Sequence, residues 1–361
     1  MPGTSSADPS TEIFPTLEAL PPEAADLLDG ATGLFGTAVW WNVVLAHALP
    51  PAAAAAFVVI RCRGRVVALV AMLRDGNQFG GLTTPYSCAY QPLLLAGLDQ
   101  ATRVAAMAAL ARHDRSSGVV RLDALPAAWT GLADLEGGSR RAGRIPLRFN
   151  HFGNWSENVA GLSWSAYLLN RPGALRETIR RRLRRAEKLP DARFALLTAV
   201  DDTGRAAEVF ESVYERSWKT PEPYPDFNVA LMRATAAAGW LRLGVWSIGA
   251  VPVAVQFWVV VDRHATVLKL AHDEAFKTYS PGTVLTALMV RHLLDQEHVT
   301  RIDFGRGDDP YKRGWAAERQ QYIGILLVSP WRISGLLALL RHVVGRVRDA
   351  VRSAGPGSAL P

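Results

Sequence analysis

The stretch AHDEAFKTYSPGTVLTALMVRHLLDQEHVTRIDFGRGDDPYKRGW, residues 271–315, decides the fold class of this chain. Its pattern gives the end of a strand, a tight Ser280-Pro281-Gly282-Thr283 turn, a helix from Gly282 to Gln296, a strand from Val299 to Phe304 and a polar, glycine-rich exit. A strand that turns into a helix leaves the first N–H groups of that helix without backbone partners and aims the positive end of its dipole at the turn. That is a ready place for an anion such as pyrophosphate. Gly282 permits close approach, and Thr283 offers a cap or a hydroxyl. Proline and glycine are common at helix starts, so the tetrapeptide alone assigns no ligand.

The exit loop packs acids, a phenol and bases at the end of a strand, where function concentrates. Asp303 or Asp308 can accept a proton from an amine, Tyr311 can return one to a leaving group, and Lys312 can neutralise a developing oxyanion. The plainer reading is a solvated turn in which Asp308 and Asp309 pair with Lys312 and Arg313.

Working outward, the same element order occurs earlier in the chain. Phe57–Arg63 and Val66–Arg74 flank Gly64 as a hairpin, Ala101–His113 has helical spacing, and Val119–Leu122 is a short strand closed by Asp123. Downstream, Leu241–Ser247 and Val251–Val261 form the second hairpin ahead of the helix and strand quoted above. The local echo of Val119-Val120-Arg121-Leu122-Asp123 in Val299-Thr300-Arg301-Ile302-Asp303 keeps register with the whole order, which argues for a tandem duplication. The expected layout is a disordered or lead-in segment at 1–28, units at 29–165 and 191–330, a linker helix at 166–190, and a basic amphipathic tail at 331–361.

A length of 361 residues with 49% hydrophobic and 20% charged content excludes a disordered tail, a collagen-like repeat and a disulfide mini-scaffold, and suggests about two domains. The formal charge of +7 is not by itself a nucleic-acid footprint; its distribution matters more. Arg171–Lys188 reads RPGALRETIRRRLRRAEK, a helix with Pro172 in its first turn and Leu175, Ile179 and Leu183 as its buried stripe. Its arginines form either a solvated face or a surface for phosphates. The tail alternates Leu336, Leu337, Leu340, Val343, Val344, Val347 and Val351 with Arg341, Arg346, Arg348 and Arg352. Packing of that stripe on the folded body is the first expectation, and peripheral contact with an anionic membrane the second.

No secretory signal or membrane-spanning run is read, so a cytoplasmic protein beginning near Met1 is expected. Motifs of serine hydrolases, P-loop kinases, dinucleotide-binding dehydrogenases and zinc proteases do not occur. The histidines are scattered, His292 and His298 reading as helix and turn residues, and no metal is expected. Cys88, in TTPYSCAYQP beside Tyr86 and Tyr90, is the candidate nucleophile; the same segment also reads as cleft wall or plain packing.

The run AHDEAFKTYSPGT, a helix, and RIDFGRGDDPYKRGW together resemble the GNAT acyltransferase superfamily, in its CelD-type branch with the BioF2-like acetyltransferase domain, related to the FemABX peptidyltransferases. The arginine helix, Trp218 in YERSWK, Gln256-Phe257 in the hairpin, and Trp40-Trp41 after Phe35 extend the resemblance over roughly Leu34–Val328. It implies an α/β protein of tandem GNAT-like, FemABX-like units, each a mixed, mostly antiparallel sheet flanked by helices. It further implies that Tyr279, Ser280, Gly282 and Thr283 meet the pyrophosphate of an acyl-coenzyme A such as acetyl-coenzyme A. Tyr86, Trp218, Gln256 and Asp273 become substrate-binding residues, and Asp303, Asp308, Tyr311 and Lys312 catalytic ones. The glycine-rich donor loop usual in GNAT proteins, Q/R-x-x-G-x-G/A, is reduced here to YSPGT.

The expected reaction is N-acyl transfer to an amine of a sugar, a polysaccharide precursor or a small metabolite. Direct attack without a covalent intermediate suits a chain with no evident activated nucleophile. Two alternatives accompany it. One is a FemABX-like transfer from aminoacyl-tRNA, whose phosphates suit the Arg176–Arg185 face. The other is a non-catalytic accessory role in exopolysaccharide or cellulose synthesis.

Overall fold

Gly64 and Gly249 both adopt positive φ, +77° and +61°, and each closes the hairpin that its flanking β-branched runs predict. The computed structural model describes residues 8–114 and 116–354. Its first half contains β1 (Ser10–Phe14), α1 (Pro22–Asp29), α2 (Ala38–His47), β2 (Ala54–Cys62), β3 (Arg65–Asp75), β4 (Gln78–Gly81) and β5 (Leu93–Leu94). After these come α3 (Gln100–His113), β6 (Val119–Pro126), α4 (Leu132–Arg141) and β7 (Ile145–Asn158). Helices α5 (Trp164–Leu169) and α6 (Gly173–Glu187) lead to β8 (Ala192–Leu197), α7 (Thr203–Glu215), α8 (Phe227–Ala237), β9 (Leu241–Ile248), β10 (Val251–Val261) and β11 (His264–His272). The chain continues through α9 (Pro281–Asp295), β12 (Arg301–Arg306), α10 (Lys312–Trp315), β13 (Glu318–Val328) and α11 (Ile333–Ala354).

The strands join one sheet in the order β1-β2-β3-β4-β6-β13-β7-β12-β11-β10-β9-β8, with β5 on β3. Among the described residues only β4 with β6 and β11 with β12 run parallel, one such pair in each half, and the echoed pentapeptides lie on or beside β6 and β12. The halves repeat the order hairpin, short crossover strand, helix, parallel strand, helix and long strand, as tandem GNAT-like units should. Their last strands are exchanged. β7 pairs with β12 of the second half (Arg301 opposite Asn158), and β13 pairs with β6 of the first (Leu326 opposite Arg121). At the centre β7 and β13 pair with each other from Ile145 and Val328 to Ser156 and Glu318. The proposed repeats therefore do not own separate sheets.

Burial follows the pleat and the helical stripes. On β10, Phe257 and Val259 face the core shared with α7 and α8, while Ala254 and Trp258 face α9 together with Ile179 of α6 and Tyr167 of α5. The two halves meet where Trp40 of α2 sets its ring edge-on to Phe227 of α8, with centroids 5.7 Å apart.

Two expectations need correction. Residues 10–28 are more than a lead-in: Thr11 and Ile13 pair with Ile60 and Val58 as an edge strand, and Ala24, Leu27 and Leu28 bury one face of α1. Residues 1–7 lie outside the described residues. As far as Val344 the apolar stripe of α11 does not fold back onto the body, and Val347 and Val351 lie outside the described side chains. Only its start is fixed, because Gly335 lies so close to Ser329 that a Cβ there would stand 2.0 Å from the carbonyl oxygen. Leu336, Leu340, Val343 and Val344 remain exposed.

Candidate active site

β11 and β12 pair only from His264–Thr266 to Arg301–Asp303 and then part. Gly305 causes the parting. Its φ of +71° bends β12, the register against β7 shifts between Asp303 and Arg306, and a Cβ at this position would stand 2.7 Å from the Val267 carbonyl oxygen. Such a bulge re-aims a strand end beside a site. The splay opens a cleft of about 760 Å³ between Val267–Leu270 and Phe304–Gly307, walled on the far side by Tyr86, Phe227 and Asn228. A second pocket of about 360 Å³ is lined by Gln256, His272, Ser280, Gly282, Thr283 and Thr286. Trp218, Leu270 and Tyr311 line both, so the two pockets lie side by side and together are called the groove.

At the smaller end the expected direct turn is interrupted by a 3₁₀ segment, Glu274–Tyr279, and Ser280 takes the left-handed conformation (φ +57°). Asp273 builds this turn. Its carboxylate accepts from the Ala275 N–H at 2.9 Å and pairs with Arg216 at 2.6 Å. It is therefore a cap rather than a groove residue. Ser280 makes no capping bond to α9, Pro281 has no N–H, and among the described residues the N–H groups of Gly282 and Thr283 have no acceptor. Both residues line the pocket, and free N–H groups at a helix start attract anions. Tyr279 turns away, its ring beneath the Arg185 guanidinium at 5.0 Å.

Gln256 lines the same pocket but is tied down. Its amide donates to Thr286 Oγ1 at 2.8 Å and accepts from Trp258 Nε1 at 2.9 Å. His272 stands 4.4 Å from the Trp218 ring, and desolvation lowers its pKa against the pull of Glu274, so the imidazole is neutral at pH 7. Trp218 is half exposed, with the Lys219 ammonium 5.2 Å over its ring.

At the larger end Tyr86 stacks on Phe227 with centroids 4.1 Å apart and donates to the Tyr224 carbonyl at 3.2 Å. Desolvation pushes its phenol well above the usual range. Lys269, one of the polar residues that line the splay, lies 4.8 Å over the Tyr86 ring and pairs with Glu222 at 2.5 Å. Burial works against the Glu222 carboxylate, but hydrogen bonds from Lys269 and Tyr214 outweigh it and hold its pKa below the ordinary value. Sequence reading missed Lys269 and Glu222; the lysine inside the apolar strand TVLKLA was the available signal.

The exit loop sorts its charged residues in an unexpected way. Asp308 leaves the groove: it accepts from Trp155 Nε1 at 3.1 Å and from Arg319 at 2.8 and 2.6 Å. The Arg319 hydrogen bonds depress its pKa, and Gly153 makes room for it, since a Cβ there would stand 2.3 Å from Oδ1. Lys312 is buried, and its ammonium reaches the carbonyl oxygens of Gly305, Arg306 and Gly307 at 3.2, 2.7 and 3.4 Å. Its donors thus hold the loop in shape, while the side chain also lines the cleft. Asp309, read from sequence only as a pairing partner, lines the groove beside Tyr311. Desolvation raises the Tyr311 phenol, so it stays protonated.

Asp303 faces a different cavity of about 370 Å³, shared with Arg301, Tyr322 and Thr266. Its carboxylate accepts from Asn154 at 2.9 and 3.0 Å and from the Gly305 N–H at 2.7 Å, while desolvation raises its pKa. Cys88 lies between that cavity and the cleft, lining both. Burial pushes its thiol to about 11, which removes it as a nucleophile at neutral pH. Among the described residues no His, Cys, Asp or Glu cluster is arranged to hold a metal ion, and no helix is long and apolar enough to cross a membrane.

Residues 173–313 match the family described as acetyltransferase (GNAT) domain. No curated protein matches the chain. FemX superposes with a TM-score of 0.55 at 11% identity, over 85% of this chain and 96% of its own. The C-terminal domain of a protein described as a lysylphosphatidylglycerol synthetase, from Agrobacterium fabrum, gives 0.55 at 11% identity, over 88% of this chain and 93% of its own. A conserved protein of unknown function from Bacteroides thetaiotaomicron gives 0.55 at 13% identity, over 84% and 92%. The chain therefore has the FemABX-like GNAT fold, and residues 173–313 within it resemble a GNAT-type acetyltransferase domain.

Proposed function

We propose that this protein is an N-acyltransferase that moves an acyl group, acetyl in the simplest case, from acyl-coenzyme A to an amine of a sugar, a polysaccharide precursor or a small metabolite. We take 29–165 and 191–330 as the two repeats, with the donor site in the second. The observation that carries this reading is that the pocket beside Gly282 and Thr283, whose N–H groups have no acceptor among the described residues, shares Trp218, Leu270 and Tyr311 with the cleft at the splay of β11 and β12.

In this reading the start of α9 holds the donor's pyrophosphate, and Trp218 and Leu270 flank its thioester arm. The edge of β11 that β12 has left, Val267–Leu270, offers backbone N–H groups to the carbonyl oxygen as it gains charge. Asp309 draws the acceptor's ammonium group in and takes its proton. The amine nitrogen bonds to the carbonyl carbon, the carbon–sulfur bond breaks, Tyr311 gives a proton to the departing thiolate, and the second nitrogen proton passes to the tyrosinate and restores it, while Asp309 releases its proton to solvent. Lys312 acts at one remove by fixing the loop that carries both groups.

Transfer from aminoacyl-tRNA is the second reading. Arg180, Arg181, Arg184 and Arg185 are exposed on α6, and Arg185 donates to the Thr278 carbonyl at 3.2 Å, beside the same turn. Calorimetry with coenzyme A and acetyl-coenzyme A, at low and moderate salt, separates the two. One-to-one binding that survives salt supports the thioester donor; no binding, or loss with salt, moves the assignment to charged tRNA. Release of free thiol on addition of amines distinguishes either enzyme from an accessory protein of exopolysaccharide or cellulose synthesis.

A further inference from the structure

Helix α11 carries an apolar face that nothing among the described residues covers. Trp331 and Ile333, at its approach and first residue, are 85% and 80% exposed, and Leu336, Leu337, Leu340, Val343 and Val344 follow along the helix, each about half exposed or more. Spacings of three and four residues put these side chains on one stripe. A surface of this kind is seldom left bare on a soluble body.

The charge pattern says what covers it. Arg341 borders the stripe on the described part of the helix, and the sequence continues with Arg346, Arg348 and Arg352 against a lone acid, Asp349. The helix is 22 residues long, yet among the described residues no helix is apolar enough to cross a bilayer. High amphipathicity, modest overall hydrophobicity, an aromatic residue at one end and arginines beside the apolar face describe a helix that lies in the plane of an anionic bilayer surface. A protein groove would more often ask for an apolar stripe without a cationic border.

The attachment is rigid and remote from the groove. The Ser329 N–H donates to the Gly118 carbonyl at 2.8 Å, and a Cβ on Gly118 would stand 2.0 Å from Ser334 Oγ, so the helix start is wedged against the end of β6. Val328, where β13 ends, is ten residues from Glu318, which lies level with Ser156 and through it with Asp303. At about 3.3 Å per residue, that separates the anchor from the reaction groove by roughly 30 Å.

We propose that α11 is an interfacial helix that docks the protein on an anionic membrane surface, with Trp331, Leu336, Leu340 and Val344 entering the headgroup boundary and the neighbouring arginines meeting lipid phosphates. This holds whichever acyl donor the groove takes, because the readout is binding and not turnover.

The test is co-sedimentation of the full chain with vesicles of phosphatidylglycerol and phosphatidylcholine (1:1), and with phosphatidylcholine alone, at 0.1 and 0.5 M salt. We expect partition onto the anionic vesicles that falls about tenfold on neutral vesicles or at high salt. The Leu336→Glu/Leu340→Glu variant should lose at least tenfold, and because both side chains are already in water it should fold normally by circular dichroism. The Arg180→Glu/Arg181→Glu variant on α6 should bind as the parent does. Absence of vesicle binding overturns the proposal. So does equal binding by the α11 variant, or loss in the α6 variant, which would place the lipid contact on the arginine helix. A dimer in solution that the α11 variant dissociates, without vesicle binding, would assign the stripe to a second copy of the chain and overturn it as well.

Discussion

The Asp309 carboxylate lies 3.1 Å from the Lys312 ammonium, at the point where the exit loop closes over the groove. The two residues differ in how far they are committed. Lys312 is enclosed and bound to backbone carbonyls, whereas the Asp309 side chain is 60% exposed; both line the cleft with Tyr311. A loop that holds its cation inside leaves the anion to face the acceptor, and an ammonium acceptor needs both attraction and a proton acceptor.

Asp309→Asn should therefore lower kcat/KM for amine acceptors by about 100-fold while the melting temperature stays within a few degrees. Lys312→Ala should do the reverse in proportion. It leaves carbonyls without their donor and should cost about 2–3 kcal/mol in stability, read by urea denaturation, with turnover falling because the loop loses its shape. If Lys312→Ala retains full stability and loses only turnover, the lysine faces the oxyanion and its assignment to the loop is wrong.

Gly282→Asp isolates the donor end. A Cβ at this position would meet only His272 Nδ1, at 3.5 Å, and φ here is not positive, so the backbone tolerates the change. The new carboxylate would occupy the phosphate position at the start of α9 and repel the ligand. Coenzyme A affinity should fall at least 100-fold, with the far-ultraviolet spectrum unchanged. Unaltered affinity in calorimetry would remove the phosphate from this turn.

Asp303 tests where the base is not. Its carboxyl is raised above the ordinary 3.8 by desolvation, so in the pH range just above 3.8 the folded state holds more protons than the unfolded chain. Stability must then fall as pH rises through that window and remain reduced above it. Asp303→Asn keeps a neutral side chain at every pH. Its melting temperature should match the parent near pH 3.8 and exceed it at pH 7 and above. Turnover should stay within about threefold, because the side chain faces the other cavity; a 100-fold loss would return Asp303 to the chemistry.

Much of this was written locally in the chain. The hairpins at Gly64 and Gly249, helices α3, α6 and α9, and the parallel strands β6 and β12 follow from periodicity and turn residues, which act over a few positions. Sequence was blind to which acid of Asp303, Asp308 and Asp309 would enter the groove. That depends on the bend at Gly305 and on Trp155 and Arg319, which capture Asp308 from strands distant in the chain. It was equally blind to β7, whose IPLRFNHFGNWSEN mixes polar and aromatic residues because both its neighbours come from the other half. The uncovered stripe of α11 reads in sequence as core packing, since an amphipathic pattern does not say what lies opposite it.

The exchange of β7 and β13 makes a prediction about folding that two independent units would not make. Without residues 191–361, β6 and β7 each lose β13, and β7 loses β12 as well. A fragment of residues 1–190 would keep its hairpin and its α3–α4 packing but present long unpaired strand edges, a condition that drives aggregation. Residues 191–361 alone would lack the strand that lies between β12 and β13. Each fragment expressed singly should be insoluble or molten by near-ultraviolet circular dichroism, whereas co-expression of the two should yield a complex that elutes with the mass of the intact chain. A cooperative, soluble 1–190 fragment would show that β7 can turn back onto β6 by itself. The central β7–β13 pairing would then be a docking of finished units and not a condition of their folding.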